Sequence, residues 1–288
     1  IADFSVSDPK GCFIQDGLIG SDVFPRSVWR IDPDARQLHI AESAGDLAAL
    51  DVALGAAEPT VTAPLISGGY PHAPVVPYSI GEFEDNDLFD NDLFDTGHSA
   101  SVVLFNRLLD DKAVKRALVK MCAKPGLGPR GGAAGGAGEE TDLLRVDIQG
   151  MRLGDDALGR RSATIRTAPP SLIGLGVLRT HAVTLDYVSG RFQLHPRAKP
   201  EPARAPSGFG LMPGTDGVRV RQLYEGSAAK RAGLRLGDQV VAIDERAFPT
   251  RDIGCEVTRW LVEDRPAATA RRLPAQRGGK LEALPLHA

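Results

Sequence analysis

At 288 residues the chain has room for two ordinary domains, each able to bury a core of its own. A formal net charge of -3, with 25% charged and 42% hydrophobic residues, is that of a soluble globular protein and offers no basic patch for a nucleic-acid partner. Aromatics at 6%, with 32 Gly and 21 Pro, imply many turns and a mainly β chain; no apolar run approaches the roughly 18 to 20 residues of a membrane span. Cys12, Cys122 and Cys255 are odd in number and far apart, so neither a disulfide framework nor a zinc site is indicated, and no metal or cofactor is expected.

In chain order the first informative feature is an internal repeat. Leu18-Ile19-Gly20 lines up with Leu172-Ile173-Gly174, and the register then holds without a gap: Val23 meets Val177, Ile31-Asp32 meets Leu185-Asp186, Leu38 meets Phe192 and Ile40 meets Leu194. Each copy reads as an apolar strand ending in Gly, a short connection and a hairpin with alternating apolar residues, as two related lobes would give. Residues 41 to 75, with four prolines, read as a connection plus one strand. Leu104, Leu108, Leu109, Ala113, Ala117 and Leu118 recur at helical spacing, which predicts a helix over about 102–121. Seven glycines in residues 124 to 138 predict a flexible loop or hairpin tip. Leu144, Val146 and Ile148 alternate with polar residues as in a half-buried strand. Four prolines among charged residues in His195 to Ser207 mark a domain boundary.

The chemistry centres on Leu93-Phe94-Asp95-Thr96-Gly97-His98-Ser99, a strand end that delivers a carboxylate to a tight turn. Gly97 permits the turn, and Thr96 is expected to hydrogen-bond inward and brace it. With Leu172-Ile173-Gly174 downstream, this resembles the active-site loop of the pepsin and retropepsin-like aspartic proteases. The resemblance implies catalytic roles for Asp95, Thr96 and Gly97, with Ser99, Ile173 and Gly174 supporting the turn and a helix after Gly174. It implies a mechanism in which two carboxylates share one proton and activate a water against a peptide bond of a protein or peptide substrate. The chain holds one Asp-Thr-Gly. Asp95 precedes Leu172 by 77 residues, and the same interval before Leu18 places a partner Asp about 60 residues ahead of Ile1. Residues 1–45 are then the remnant of a first acid-protease lobe whose catalytic turn lies upstream; a homodimer contributing two copies of Asp95 is the alternative. Two rivals for this region are weaker. Asp90-Asn91-Asp92 with Asp155-Asp156 suggests a haloacid-dehalogenase-like phosphatase, and the acids suggest a calcium loop, but neither has the right flanking pattern.

Beyond the boundary, Ser227 caps a short helix that Gly233 ends, Gly237-Asp238 turns, and Gln239–Ile243 forms a strand. This resembles a PDZ domain, a small β-sandwich or barrel with two helices. The resemblance implies that Gly208, Phe209, Gly210 and Leu211 form the loop that receives a peptide carboxylate, with Val218 to Leu223 the following strand and a peptide ligand added at the sheet edge. Ile253, Val257, Trp260 and Leu261 fall on one helical face, with Trp260 in the core, and a last strand is expected near Leu281 to Leu286.

The expected organisation is a first-lobe remnant (1–45), an acid-protease lobe (46–197), a linker (198–207) and a PDZ domain (208–288). The function implied is aspartic endopeptidase, dependent on the missing partner Asp, with a non-catalytic PDZ scaffold as the competing reading. Protease with PDZ fits a bacterial cell envelope or periplasm rather than the cytoplasm, although no signal-peptide pattern is seen at Ile1.

Overall fold

The computed structural model describes residues 20–43, 57–66, 72–84, 92–119, 124–129, 139–201, 208–214, 217–248 and 272–286, together with 45, 46, 49, 132, 133, 136, 137, 257 and 260. The strands run β1 (Val28–Asp32), β2 (Gln37–Ala41), β3 (Val61–Pro64), β4 (Val75–Val76), β5 (Tyr78–Ile80), β6 (Phe83–Glu84), β7 (Asp92–Asp95) and β8 (Val102–Phe105). Next come β9 (Lys124–Gly128), β10 (Gly132–Ala133), β11 (Gly136–Ala137), β12 (Thr141–Leu153), β13 (Asp156–Arg166), β14 (Leu172–Gly174), β15 (His181–Asp186) and β16 (Arg191–Pro196). The last group is β17 (Phe209–Gly214), β18 (Gly217–Tyr224), β19 (Gln239–Val240), β20 (Ala242–Ile243), β21 (Arg246–Ala247), β22 (Arg272–Arg277) and β23 (Lys280–Pro285). The fold is mainly β, as composition requires. Its described residues fall into two compact units, one drawn from Ile19–Ala123 and Arg145–Pro202, the other from Lys124–Leu144 and Ala203–Ala288. The glycine-rich stretch, placed by sequence within 46–197, groups with the second unit.

In the first unit the repeat is a structural one. The hairpin pairs Val28↔Ala41 and Ile31↔Leu38 recur, 154 residues later, as Ala182↔His195 and Leu185↔Phe192. The turns repeat at the level of single hydrogen bonds. Asp32 Oδ1 accepts from the Ala35 N–H at 2.9 Å, and Asp186 Oδ1 accepts from the Ser189 N–H, the equivalent residue, at 2.8 Å. Arg36 and Gly190, also equivalent, both adopt positive φ, as the chain reversal demands. The two hairpins join through antiparallel β1 and β15, in which Arg30 lies opposite Thr184, its own counterpart. A residue facing its counterpart marks a local two-fold axis. The sheet order is β2-β1-β15-β16-β3.

That axis carries a buried polar cluster. Arg30 Nε donates to Thr184 Oγ1 at 3.1 Å, and its Nη2 lies 2.8 Å from His195 Nε2. His195 Nδ1 is 3.0 Å from the Ala57 carbonyl. An imidazole that donates from Nδ1 and accepts from a guanidinium at Nε2 is neutral.

The second sheet of this unit runs β12-β13-β8-β14-β7-β4, with β5 on β12 and β6 on β5. The helix expected over 102–121 is replaced by β8, a 3-10 turn (Asn106–Asp110) and a six-residue helix (Lys112–Ala117). Val102 and Val103 are β-branched and sit between two strand neighbours, which overrides the helical spacing of the leucines. Asp111 then starts the helix by accepting from the Ala113 and Val114 N–H groups at 2.6 and 3.1 Å. The strand expected around 144–149 is found as the longer β12.

In the second unit β17 pairs with β18, β18 with β19, β19 with β22 and β22 with β23. Its core gathers Phe209, Val220, Leu234, Val240, Phe248 and Leu273. Asp238 is the buried charge here, held bidentately by Arg277 at 2.8 and 2.5 Å while accepting from the Arg235 N–H at 2.9 Å. The glycine-rich segment is not an open loop at its start. Strand β9 pairs with β18 as Leu127↔Leu223 and Gly126↔Tyr224, and β10 and β11 form a small hairpin. Ile253 and Leu261, expected on a helix, lie outside the described residues; Val257 and Trp260 between them are helical and pack on the core. No helix among the described residues is long and apolar enough to cross a membrane.

Burial holds the His195 imidazole below its ordinary pKa, and the Arg30 guanidinium adds to the effect against the pull of the Ala57 carbonyl. His98 and His181 are shifted the same way, also chiefly by burial. A depressed folded pKa means that the unfolded chain takes up the proton first, so stability is full above about 6.5 and is lost as pH falls below it. Acidifying from about pH 7.5 to about 5.5 is expected to lower the thermal midpoint, and less steeply in His195→Gln. Circular dichroism melts of both proteins check this; equal slopes would remove His195 from the account.

Candidate functional site

Strand β7 carries Asp95 at its end because Leu93 and Phe94 anchor it, Phe94 buried with its ring 5.5 Å from that of Phe192. The chain then turns back at Thr96-Gly97. The Gly97 N–H donates to Asp95 Oδ1 at 2.8 Å, and the His98 N–H to the Asp95 carbonyl at 3.2 Å. The carboxylate is thereby fixed at the tip of the turn while remaining partly open to solvent. Thr96, expected to brace the loop from within, is exposed instead. Its place as brace is taken by backbone groups.

Those groups come from β14. It lies parallel to β7, with Leu172↔Leu93, Ile173↔Phe94 and Gly174↔Asp95, and antiparallel to β8 on its other side. Thus Ile173 and Gly174 sit beside Asp95, as the sequence motifs anticipate. Past the strand, the Leu175 N–H donates to the His98 carbonyl at 2.7 Å, and the Gly176 N–H to the Ala100 carbonyl at 3.1 Å. The approach is so close that a Cβ on Gly174 would stand 2.3 Å from the Ala100 oxygen and 2.4 Å from the His98 oxygen. A Cβ on Gly176 would stand 2.4 Å from the Ser101 nitrogen. After Gly174 the chain makes a 3-10 turn (Leu175–Arg179) rather than the expected helix, and returns at once to β15.

Two residues to which the sequence motifs assign no role help to hold this site. Ser171 is fully buried; its Oγ accepts from the Phe105 N–H at 3.0 Å and its carbonyl from the Leu93 N–H at 3.0 Å, tying β7, β8 and β14 together. His98 Nδ1 accepts from the Ala100 N–H at 3.1 Å, so the ring is locked to its own loop. Burial lowers its pKa, and the Arg166 charge adds to this, while the Asp95 carboxylate opposes both. Ser99, expected to support the turn, is exposed.

Most side chains of the phosphatase and calcium readings are not described. Asp90 and Asn91 lie outside the described residues, and Asp156 Oδ2 is used to accept from the Thr62 N–H at 2.8 Å. Among the described residues no three His, Cys, Asp or Glu side chains gather as metal ligands.

In the second unit Gly208, with φ +75°, abuts Ser227, and its carbonyl accepts from the Tyr224 N–H at 2.9 Å. Phe209 is buried in the core, while Gly210 and Leu211 follow on β17, where the register shifts by a bulge. Among the described residues β17 has one strand neighbour, β18. Ser227 caps the helix Ala228–Arg231 by accepting from the Lys230 N–H at 3.1 Å. Trp260, expected in the core, is partly buried against it, packing on Phe248 and lying under the Arg246 guanidinium at 4.2 Å.

Comparison with protein-family models and with curated proteins returns no match. The assignment of roles therefore rests on geometry. Backbone atoms surround the missing side chain of Gly174, so the strain of a methyl cannot be relieved by a rotamer change. Gly174→Ala is expected to destabilise the fold by about 2 to 4 kcal/mol, read from urea denaturation. A loss below about 0.5 kcal/mol would show that the loop yields and that the strand does not hold it rigidly.

Proposed function

We propose that this chain carries one catalytic lobe of an aspartic endopeptidase, with Asp95 as one of the two carboxylates, followed by a PDZ-type peptide-binding module. The observation that carries the reading is the Gly174 strand wedged between β7 and β8, whose close backbone approach holds Asp95 at the tip of its turn. A carboxylate so held has few conformations to lose when a second is brought against it, which is what a proton-sharing pair needs.

In the reaction the pair holds one proton between two carboxylates about 3 Å apart, because both cannot ionise at that distance. The ionised member takes a proton from water as it attacks the peptide carbonyl, and the protonated member donates to the carbonyl oxygen. The proton acquired by the first carboxylate then passes to the leaving amine as the C–N bond breaks, and a hydroxyl of the tetrahedral intermediate returns a proton to the second carboxylate, restoring the pair. In this chain Asp95 supplies one member, oriented by the Gly97 N–H; Thr96 and Ser99, both exposed, face the solvent side of the loop. The partner Asp comes from a preceding lobe, a reading that the exact structural repeat of β1–β2 in β15–β16 favours over a homodimer of Asp95. In the PDZ-type module an extended peptide adds to β17, its carboxylate received near Gly208 to Leu211. A non-catalytic scaffold in which this module does the work is the second reading, favoured by the single Asp-Thr-Gly of the sequence. The pairing of peptidase and peptide-binding module suits a bacterial cell envelope.

Cleavage of a peptide library between about pH 3 and 7, with and without pepstatin, tests the enzyme. The polypeptide including the preceding lobe is expected to cleave, to be blocked by pepstatin, and to lose at least about a thousandfold in Asp95→Asn. Activity retained by that variant would overturn the assignment of Asp95. For the module, a peptide with a free C-terminal carboxylate is expected to bind at least about tenfold more tightly than its amide, by fluorescence polarisation. Equal affinities would remove the carboxylate from its recognition.

A further inference from the structure

Between the Asp95 turn and β8 the chain passes through a seam, residues 98–101, on which β14 hangs. The carbonyls of His98, Ala100 and Ser101 accept from the Leu175, Gly176 and Gly174 N–H groups at 2.7, 3.1 and 3.2 Å. The same seam reaches back to the turn, because the His98 N–H donates to the Asp95 carbonyl at 3.2 Å. One side chain closes the seam on itself: the Ala100 N–H donates to His98 Nδ1 at 3.1 Å.

That bond has a protonation state written into it. A backbone N–H can only donate, so Nδ1 must offer its lone pair, and the ring is the neutral tautomer with its proton on Nε2. An imidazolium carries a proton on each nitrogen and would set N–H against N–H. The ring is half-buried, and burial disfavours the cation. Of the charges acting on it, Asp95 favours the imidazolium and Arg166, at the end of β13, opposes it. Strands β8 and β14 bring no titratable side chain to the loop, and Arg179 of the following 3-10 turn is paired with Glu201.

We propose that His98 is a positioning residue for Asp95 and that the seam is a pH-sensitive latch, closed by the neutral imidazole and opened when the ring takes up a proton. On opening, the Ala100 N–H loses its acceptor, and the carbonyls that hold Gly174, Leu175 and Gly176 are no longer fixed from within the loop. The strand wedged beside Asp95 is then held less firmly. The consequence for catalysis rests on the reading of Asp95 as one of a proton-sharing pair. Such a pair by itself keeps its working proton far into acid solution. The latch places the acid limit of this site higher, at the titration of an imidazole: the site is ordered above the ring's folded pKa and loosens as pH falls through it.

Nuclear magnetic resonance of the 288-residue chain reads the latch directly. At neutral pH the His98 ring is expected to carry its proton on Nε2, and on acidification the amide signals of Ala100, Leu175 and Gly176 are expected to move with the ring's own titration. His98→Asn is the deciding variant, because its Oδ1 stands in for Nδ1 as acceptor and does not titrate. In it the three amides are expected to lose that titration step. In His98→Ala the acceptor is absent at every pH, and exchange of the Ala100 amide, relative to its intrinsic rate, is expected to be at least about fivefold faster than in His98→Asn. A ring protonated on Nδ1 at neutral pH overturns the inference, as do Leu175 and Gly176 amides that ignore the ring or titrate alike in His98→Asn.

Peptide cleavage by the polypeptide including the preceding lobe separates the latch from the enzyme. Cleavage about one pH unit below the ring's measured midpoint, relative to cleavage at about pH 7.5, is expected to be at least about fivefold higher in His98→Asn than in the unsubstituted protein. Cleavage with the same ratio in both overturns the latch and leaves the enzyme standing. Absence of cleavage, with the amide titrations as expected, removes the enzyme and upholds the latch.

Discussion

At the end of β7 two stretches of backbone lie so close that a hydrogen atom is the largest substituent Gly174 and Gly176 can carry. Everything specific about the candidate site follows from that approach. It lets the Leu175 and Gly176 N–H groups reach the carbonyls of His98 and Ala100, and it keeps β14 in register with both β7 and β8. Side chains adjust by rotation, but backbone held on both sides does not. The loop that follows Asp95 is thus defined chiefly by the main chain, with Thr96 and Ser99 exposed on it and the half-buried His98 ring tied to the Ala100 N–H.

The same unit contains a second constraint of a different kind. Where β1 meets β15, a guanidinium is buried against a hydroxyl and an imidazole. Such a cluster is a poor source of net stability, since desolvating a cation is expensive. Its value is in register. A shift of β1 against β15 by one residue would turn Arg30 to the apolar face and Trp29 to the polar one, so the polar pair fixes how the two repeat copies meet.

Much of this was legible in the residues. The repeat was visible because Asp32 and Asp186, and the alternating residues after them, serve the same turns and strands in both copies. The Asp95 turn and its Ile173-Gly174 neighbour were legible because close packing leaves only glycine as a solution. The segment 102–121 was misread, since leucines at helical spacing also suit a strand, a 3-10 turn and a short helix that bury one side in succession. Ser171 and Ala57 gave no signal at all. Their roles depend on a buried hydroxyl and a main-chain carbonyl meeting partners far along the chain, a coincidence that only tertiary structure creates.

The strand β9 shows how composition and constraint can part company. Rich in glycine, its neighbourhood has the look of sequence that evolution leaves alone to drift. Yet a methyl on Gly126 would meet the Tyr224 ring at 2.7 Å, and one on Gly128 the Arg221 carbonyl at 2.0 Å. Among related proteins these two positions should stay as invariant as any in the chain, and length variation should collect beyond Pro129, where the pairing with β18 has ended. A tract that looks like filler would then be read, in a comparison of homologues, as two fixed points followed by a stretch of noise.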